Sequence, residues 1–223
     1  MNNQEIEQRP KESPIPKSQL EFFEFVNHLR EVKRQGWVDR KIKKDQESVA
    51  EHSYTVAVMV GMEARRRGLD TEKAMLMALV HDLPEILAGD RTPHQDAPKH
   101  KRAEAIQVWT PPSEEAKRDK RQKEEEALKI ITQKLPVSFR AEIVELWQEY
   151  VAEETEVAKL VHQMDHIQLL QQAMIYVKQK PDFQVGSILP QGLASDDPQV
   201  KRVAKELEKL IGLVRDSEVP QEA

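Results

Sequence analysis

Apolar residues recur every three or four positions along most of this chain, which is the spacing of amphipathic helices. With only 7 glycines and 5% aromatic residues, the composition also argues against a turn-rich β architecture. The fold class predicted is all-α, in one domain. The predicted helices are Gln19 to Lys33, Val49 to Arg67, a helix from Thr71 into the segment around His81, Glu114 to Lys134, a helix opened by Pro136 and Ser138, Glu154 to Val177, and Val200 to Val214.

Local signals place the ends of two of these helices. Ser18 with Glu21 and Ser48 with Glu51 have the form of a capping box, in which a serine and a glutamate three residues later satisfy each other's backbone amides. Gly36 is expected to end the first helix and begin a loop, because glycine adopts the backbone conformation that closes helices.

Prolines and charged residues mark the segments expected to lie outside the helices. From Arg91 to Pro112 the helical period is lost among four prolines, which predicts a long loop or lid with a short helix around Arg102 to Val108. A shorter loop is predicted from Gly186 to Gly192. The predicted division is a flexible N-terminal arm at 1–17, one helical bundle at 18–215 and a C-terminal tail at 216–223.

Charge and composition exclude several classes of function. The 223 residues carry a net charge of -5 with both signs interleaved, so no basic face suggests duplex nucleic acid as a partner. The absence of cysteine excludes disulfides, thiolate metal sites and cysteine nucleophiles. No apolar run is long enough to cross a membrane. The chain is expected to be soluble and cytoplasmic, and any metal ion must be held by nitrogen and oxygen.

Polar residues interrupt the apolar stripes of three predicted helices. His52 lies on the stripe of one helix, His81 and Asp82 adjoin each other in the apolar run of the next, and Asp165 lies on the stripe of the Glu154 helix. A single histidine at such a position is more often a hydrogen-bonded core residue. Two imidazoles and two carboxylates together, however, suit a divalent cation, because a buried unpaired carboxylate is costly.

The residues that follow the His-Asp pair include further side chains that could take part in catalysis. Pro84 cannot continue an undisturbed helix, so a break is predicted just after Asp82. Glu85 then stands one turn from His81, where it could act on a water molecule at the metal. Gly89 provides a turn that presents Asp90 from a loop.

The ordered set of these residues resembles the HD-domain metal-dependent phosphohydrolases, and within them the 5′-deoxyribonucleotidase branch. That family's pattern is a histidine, an adjacent His-Asp pair and a distant aspartate. The resemblance covers roughly Leu20 to Lys180. It is carried by Arg34, Gly36-Trp37, Glu47 to Ser53, Ala78 to Glu85, Gly89-Asp90, Lys123 to Ala127 and Met164-Asp165.

The resemblance implies a role for each matching position. It makes His52, His81, Asp82 and Asp165 the ligands of one divalent ion, which could be Mn, Co, Mg, Fe, Ni or Zn. Glu85 is implied to be the acid/base, and Asp90 to orient the attacking water or the substrate. Arg34 and Trp37, with Asp90 and Thr92, are the candidate nucleotide-binding residues. The implied fold is the HD-domain helical bundle, often a homodimer.

The function expected is hydrolysis of nucleoside or deoxynucleoside 5′-monophosphates to nucleoside and phosphate. One alternative keeps the fold but places two metal ions in it, as in dinuclear phosphodiesterases and oxygenases, with His94 and His100 as additional ligands. A second alternative is a non-catalytic scaffold that binds nucleotides. Retention of the four ligand residues and Glu85 argues against the scaffold.

Overall fold

The computed structural model describes residues 14–92, 101–180 and 182–218, and within these ranges the chain is built from helices. Their only ladder pairing is an isolated antiparallel bridge between Lys33 and Ser48. The all-α prediction is confirmed. The helices are α1 (Lys17–His28), α2 (Gln35–Asp39), α3 (Val49–Arg67), α4 (Thr71–Val80), α5 (Glu85–Ala88), α6 (Arg102–Gln107), α7 (Glu114–Thr132), α8 (Val137–Ala152), α9 (Glu156–Gln179), α10 (Ile188–Ala194) and α11 (Pro198–Glu218).

Helix α3 begins as its sequence predicts. The Ser48 hydroxyl accepts the Glu51 backbone amide at 3.2 Å, and the Glu51 carboxylate accepts the Ser48 amide at 2.7 Å. This capping box holds the first turn of the helix that carries His52.

The start and end of α1 differ from the prediction. The helix begins at Lys17 because the Pro16 carbonyl accepts the Gln19 and Leu20 amides, and no side chain caps it, so the expected capping by Ser18 is wrong. It ends at His28, five residues early. Farther along, the carbonyls of Leu29 and Val32 accept backbone amides at the start of α3 and are not available to continue the helix.

Two short helices occupy segments that were predicted to be loops. Residues Gln35–Asp39 form α2, immediately after the expected helix end, and Ile188–Ala194 form α10 within the expected Gly186 to Gly192 loop. Both are packed into the body: Trp37 of α2 and Ile188 of α10 are buried. Tertiary burial stabilises these short helices, which have little propensity of their own.

The core lies around α9, which contacts α3, α4, α8, α10 and α11. Its buried face includes Leu160, Val161 and Leu170, and α3 contributes Val56 and Val60. Asp165 lies between these apolar turns on the same helix. The strongest packing inside the bundle therefore surrounds the helix faces that carry the polar residues.

The predicted break after the His-Asp pair is present. Helix α4 ends at Val80, and α5 begins at Glu85 after a turn that contains Pro84. Gly89 ends α5 with a φ of 73°, a conformation that side chains disfavour. The break directs Glu85 into the interior, where it is 2% exposed, and Asp90 follows at the edge of the bundle.

Part of the predicted lid contacts the body of the protein. The short helix expected near Arg102 to Val108 is present as α6, and its Ile106 carbonyl accepts the Ser187 amide at 2.9 Å. Residues 93–100, which include His94 and His100, lie outside the described residues, as do residues 1–13 of the predicted arm. None of the helices in the described ranges has both the length and the low polarity that a bilayer crossing requires.

Candidate metal centre and active site

Three helices bring the predicted metal ligands together. His52 of α3, His81 just after α4 and Asp165 of α9 have ligand atoms that all lie within 4.8 Å of one another. The His52 Nε2 and Asp165 Oδ1 atoms are 3.1 Å apart. Asp82 Oδ2 is 3.2 Å from His81 Nε2 and 3.6 Å from His52 Nε2. The four side chains thus converge on a space the size of an ion.

The two imidazole rings are oriented for metal binding. His52 Nδ1 lies 2.7 Å from the Gln168 amide oxygen, and His81 Nδ1 lies 2.7 Å from the Ala78 carbonyl. Both partners are acceptors, so each Nδ1 carries the proton and each Nε2 presents a lone pair to the carboxylates. Both Nε2 atoms are buried and have no hydrogen-bond partner. A divalent cation satisfies these two atoms, and the residues therefore fit a metal ion.

A buried hydrogen-bond network fixes the His52 ring. The Gln168 amide nitrogen donates to one Glu47 oxygen, which leaves the amide oxygen for His52. The other Glu47 oxygen accepts the Trp37 indole N–H at 2.8 Å. Trp37 is fully buried, with its ring edge-on to Tyr176 at 5.0 Å. The indole thus anchors the support behind the metal ligands, and its predicted contact with the nucleotide stays a prediction.

Charge interactions keep both carboxylate ligands ionised. Burial on its own would raise the pKa of Asp165, but the adjacent His52, together with His81 and Arg34, holds that pKa well below its ordinary value. Burial opposes ionisation of Asp82 as well, and the neighbouring His81 and Arg34 lower its pKa. Ionised carboxylates are the form that binds cations.

The pKa of Glu85 is shifted in the opposite direction to those of Asp82 and Asp165. Its side chain is buried, its Oε2 has no hydrogen-bond partner, and burial raises its pKa well above 4.5, helped by the charges of Asp82 and Asp90. Burial in the folded protein therefore favours the protonated form of this carboxyl group. Ionised and protonated acids side by side are typical of acid/base sites.

Asp90 is held at the entrance by the backbone of α2. Its Oδ2 accepts the Gln35 amide at 2.6 Å and lies 4.0 Å from Arg34 Nε. Arg34 also donates from Nη1 to Asp82 Oδ2 at 3.0 Å, so one guanidinium joins two of the predicted site residues. Thr92 donates its hydroxyl to Asp39 at 3.0 Å on the same wall.

A cavity of about 210 Å³ adjoins these residues. Its acidic floor is formed by four carboxyl groups, those of Asp82, Glu85, Asp90 and Asp165. Cationic side chains also line it, and these are Arg34, Arg40, Arg91 and Lys120. The rest of the lining is Gly36, Trp37, Thr92, Trp109, Tyr150, His166, Leu169, Ser187, Ile188 and Gln191.

Sequence reasoning assigned no role to Lys120, although the neighbouring Glu124 lies in the Lys123 to Ala127 stretch that carries the family resemblance. The Lys120 Nζ and Glu124 Oε1 atoms are 3.4 Å apart, and Lys120 lines the cavity. Burial opposes the charge on Lys120, yet the carboxylates of Glu124 and Glu85 raise its pKa. The signal was present in the spacing, since positions 124 and 120 extend the buried stripe of Leu128 by one and two turns.

The chain belongs to the HD-domain family, whose model matches residues 26–208. Its fold is similar to a crystal structure described as a predicted metal-dependent phosphohydrolase from Magnetospirillum magnetotacticum, with a TM-score of 0.58 and 25% identity over 89% of this chain and 94% of that one.

Two similar sequences belong to one kind of enzyme. The 5′-deoxynucleotidase HDDC2 of Mus musculus is 38% identical over 157 residues, which cover 70% of this chain and 69% of the mouse protein. The 5′-deoxynucleotidase hdd1 of Schizosaccharomyces pombe is 30% identical over 159 residues, 70% of each chain. The predicted family resemblance is confirmed.

Proposed function

We propose that this protein is a metal-dependent phosphomonoesterase that hydrolyses nucleoside or deoxynucleoside 5′-monophosphates to nucleoside and phosphate. The observation that carries the proposal is the pair of buried, unpartnered Nε2 atoms of His52 and His81, which face Asp82 and Asp165 beside Glu85, whose pKa is raised by burial. The similarity to two 5′-deoxynucleotidases supports the choice of substrate.

We propose that His52, His81, Asp82 and Asp165 hold one divalent ion, with Mn, Co, Mg, Fe, Ni and Zn as the candidates. Nitrogen and oxygen ligands of this mixture suit these metals. When bound, the ion supplies Lewis-acid chemistry, neutralising phosphate charge and acidifying water. Gln168 and the Ala78 carbonyl keep both rings in the required tautomer.

The protein's own groups divide the proton transfers between them. Glu85 is the group assigned to donate a proton to the leaving 5′-oxygen, because burial raises its pKa and favours the protonated form. Asp90 has one oxygen fixed by the Gln35 amide, which leaves the other to orient the attacking water. This assignment places the acid and the water-orienting group on the two ends of α5.

Arg34 and Lys120 are suited to bind the phosphate. Both line the cavity next to the acidic floor, and the surrounding carboxylates raise the pKa of each, so both remain charged. A phosphate dianion requires such cations, since the carboxylates alone would repel it. The net charge of the protein matters less than these local charges.

The proposal is tested by measuring phosphate release from a panel of ribo- and deoxyribonucleoside 5′-monophosphates with each candidate metal. We expect metal-dependent turnover and one ion per chain. The matched control is Glu85→Ala, which should keep its metal and lose turnover by about 10²- to 10⁴-fold. If the wild-type protein releases phosphate no faster than Glu85→Ala with every metal, the proposed activity is wrong.

Homodimeric assembly and a cytoplasmic location remain predictions from the family resemblance and the composition. Light scattering of the purified protein measures the first directly. Two ions per chain in the metal analysis would instead favour the dinuclear alternative, in which His94 and His100 contribute ligands.

A further inference from the structure

One wall of the active-site cavity has no role in the proposed phosphate chemistry. Leu169 lies one turn after Asp165 on α9, and Ile188 and Gln191 lie one turn apart on α10. The same side chains, with His166, Leu170, Gly192 and Val200, line a second small hollow that shares this wall. The lining is therefore charged around Asp82, Glu85 and Asp165 and more apolar where the cavity adjoins this hollow.

Trp109 adds an aromatic side chain to the lining of the same cavity. It lines the cavity and is half-buried, although it belongs to the connection after α6 and not to the bundle. The neighbouring Val108 is 56% exposed and is not part of the cavity wall. A large aromatic side chain is thus turned toward the cavity in a segment whose other apolar residue faces solvent.

A buried arginine attaches the segment before Trp109 to the body of the protein. The Ile106 carbonyl accepts the Ser187 amide at 2.9 Å and Arg40 Nη2 at 3.4 Å. Arg40 also donates to the Val185 carbonyl and the Ser187 hydroxyl, and to the Gly36 carbonyl of α2. One guanidinium therefore connects α2, α6 and residues 185–187.

Gly186 allows this close approach of α6. It has a φ of 58°, and a side chain there would collide with the Ile106 carbonyl oxygen. Both features require glycine, so the chain is built to receive α6 at this point. Trp109 therefore lies three residues after Ile106, whose carbonyl is hydrogen-bonded to the body of the protein.

We propose that Trp109, Leu169, Ile188 and Gln191 form the subsite for the nucleobase of the substrate. The proposal rests on the proposed function and extends it. A nucleoside monophosphate has a dianion at one end and a flat uncharged ring at the other, which matches the charged and the more apolar parts of the cavity lining. The indole supplies a face on which the base can stack, and Leu169 and Ile188 supply an apolar surface. The Gln191 amide supplies a hydrogen-bond donor and an acceptor for the edge of the base.

The test compares Trp109→Ala, Trp109→Phe and the neighbouring control Val108→Ala. Calorimetry measures binding of 2′-deoxyadenosine 5′-monophosphate and of 2-deoxyribose 5-phosphate, which lacks the base, to the protein in chelator. Stacking on an aromatic side chain contributes about 1–3 kcal/mol per base, so Trp109→Ala should weaken nucleotide binding by about 5- to 150-fold. Trp109→Phe should restore most of the affinity, and Val108→Ala should leave it unchanged.

Binding of 2-deoxyribose 5-phosphate should be the same in all four proteins. The subsite is wrong if Trp109→Ala binds the nucleotide as tightly as the wild type, or if it loses the base-free phosphate to the same extent. Failure of the proposed function looks different: the nucleotide would bind through Trp109 and remain intact with every divalent metal.

Discussion

Replacing Glu85 by glutamine tests whether this carboxyl is kept protonated in the folded protein. Glutamine has nearly the same shape and no ionisable proton. The Glu85 side chain is 2% exposed and burial raises its pKa well above 4.5. The folded protein thus holds a proton that the unfolded chain releases once the pH exceeds about 4.5.

The sign and size of the effect follow from this difference. Between the two pKa values the folded state binds more protons than the unfolded state, so the free energy of unfolding falls as the pH rises, by about 1.4 kcal/mol per pH unit. Below 4.5 both states are protonated and the contribution is zero. At pH 7 ionisation of Glu85 in the unfolded chain lowers the free energy of unfolding by at most about 3 kcal/mol. For a chain of this length this corresponds to a decrease of roughly 6 to 12 °C in Tm.

The assay is urea unfolding of the metal-free wild type and Glu85→Gln from pH 4 to pH 8. The buried amide adds a pH-independent difference, so the informative quantity is the change in the stability difference with pH. The free energy of unfolding of Glu85→Gln, relative to that of the wild type, should increase steadily above pH 4.5. Parallel stability profiles for the two proteins would refute the protonated state and, with it, the acid role.

The other predictions concern the metal and the phosphate. Asp165→Ala should abolish metal binding measured by calorimetry while the helical content stays the same, and unchanged affinity would remove Asp165 from the ligand set. Gln168→Leu, which frees the His52 ring and one Glu47 oxygen, should weaken metal binding by about 10- to 100-fold. Lys120→Met should lower kcat/KM for nucleotides by roughly 10- to 100-fold through loss of a charged phosphate contact. The exposed control Lys123→Met should retain the wild-type value. Equal values of kcat/KM in both variants would contradict the role of Lys120.

The metal centre was predictable because its residues violate the local pattern. His52, the His81-Asp82 pair and Asp165 are polar at positions where a helical period requires apolar side chains. Burial makes such a violation costly, so their common purpose could be inferred before their distances were known. The break at Pro84 and the capping box at Ser48 were equally local, because each depends on a few adjacent residues.

The sequence by itself thus determined the helical class and the break that separates Asp82 from Glu85, and it predicted which four side chains would serve as metal ligands. Only the tertiary structure decided where α1 ends, because the carbonyls that follow it accept amides of α3, and it alone brought Lys120 and Trp109 to the cavity. A helical period shows which face of a segment is buried and not what that face contacts. Contacts between distant segments depend on how whole helices pack, and that information is spread over the entire chain.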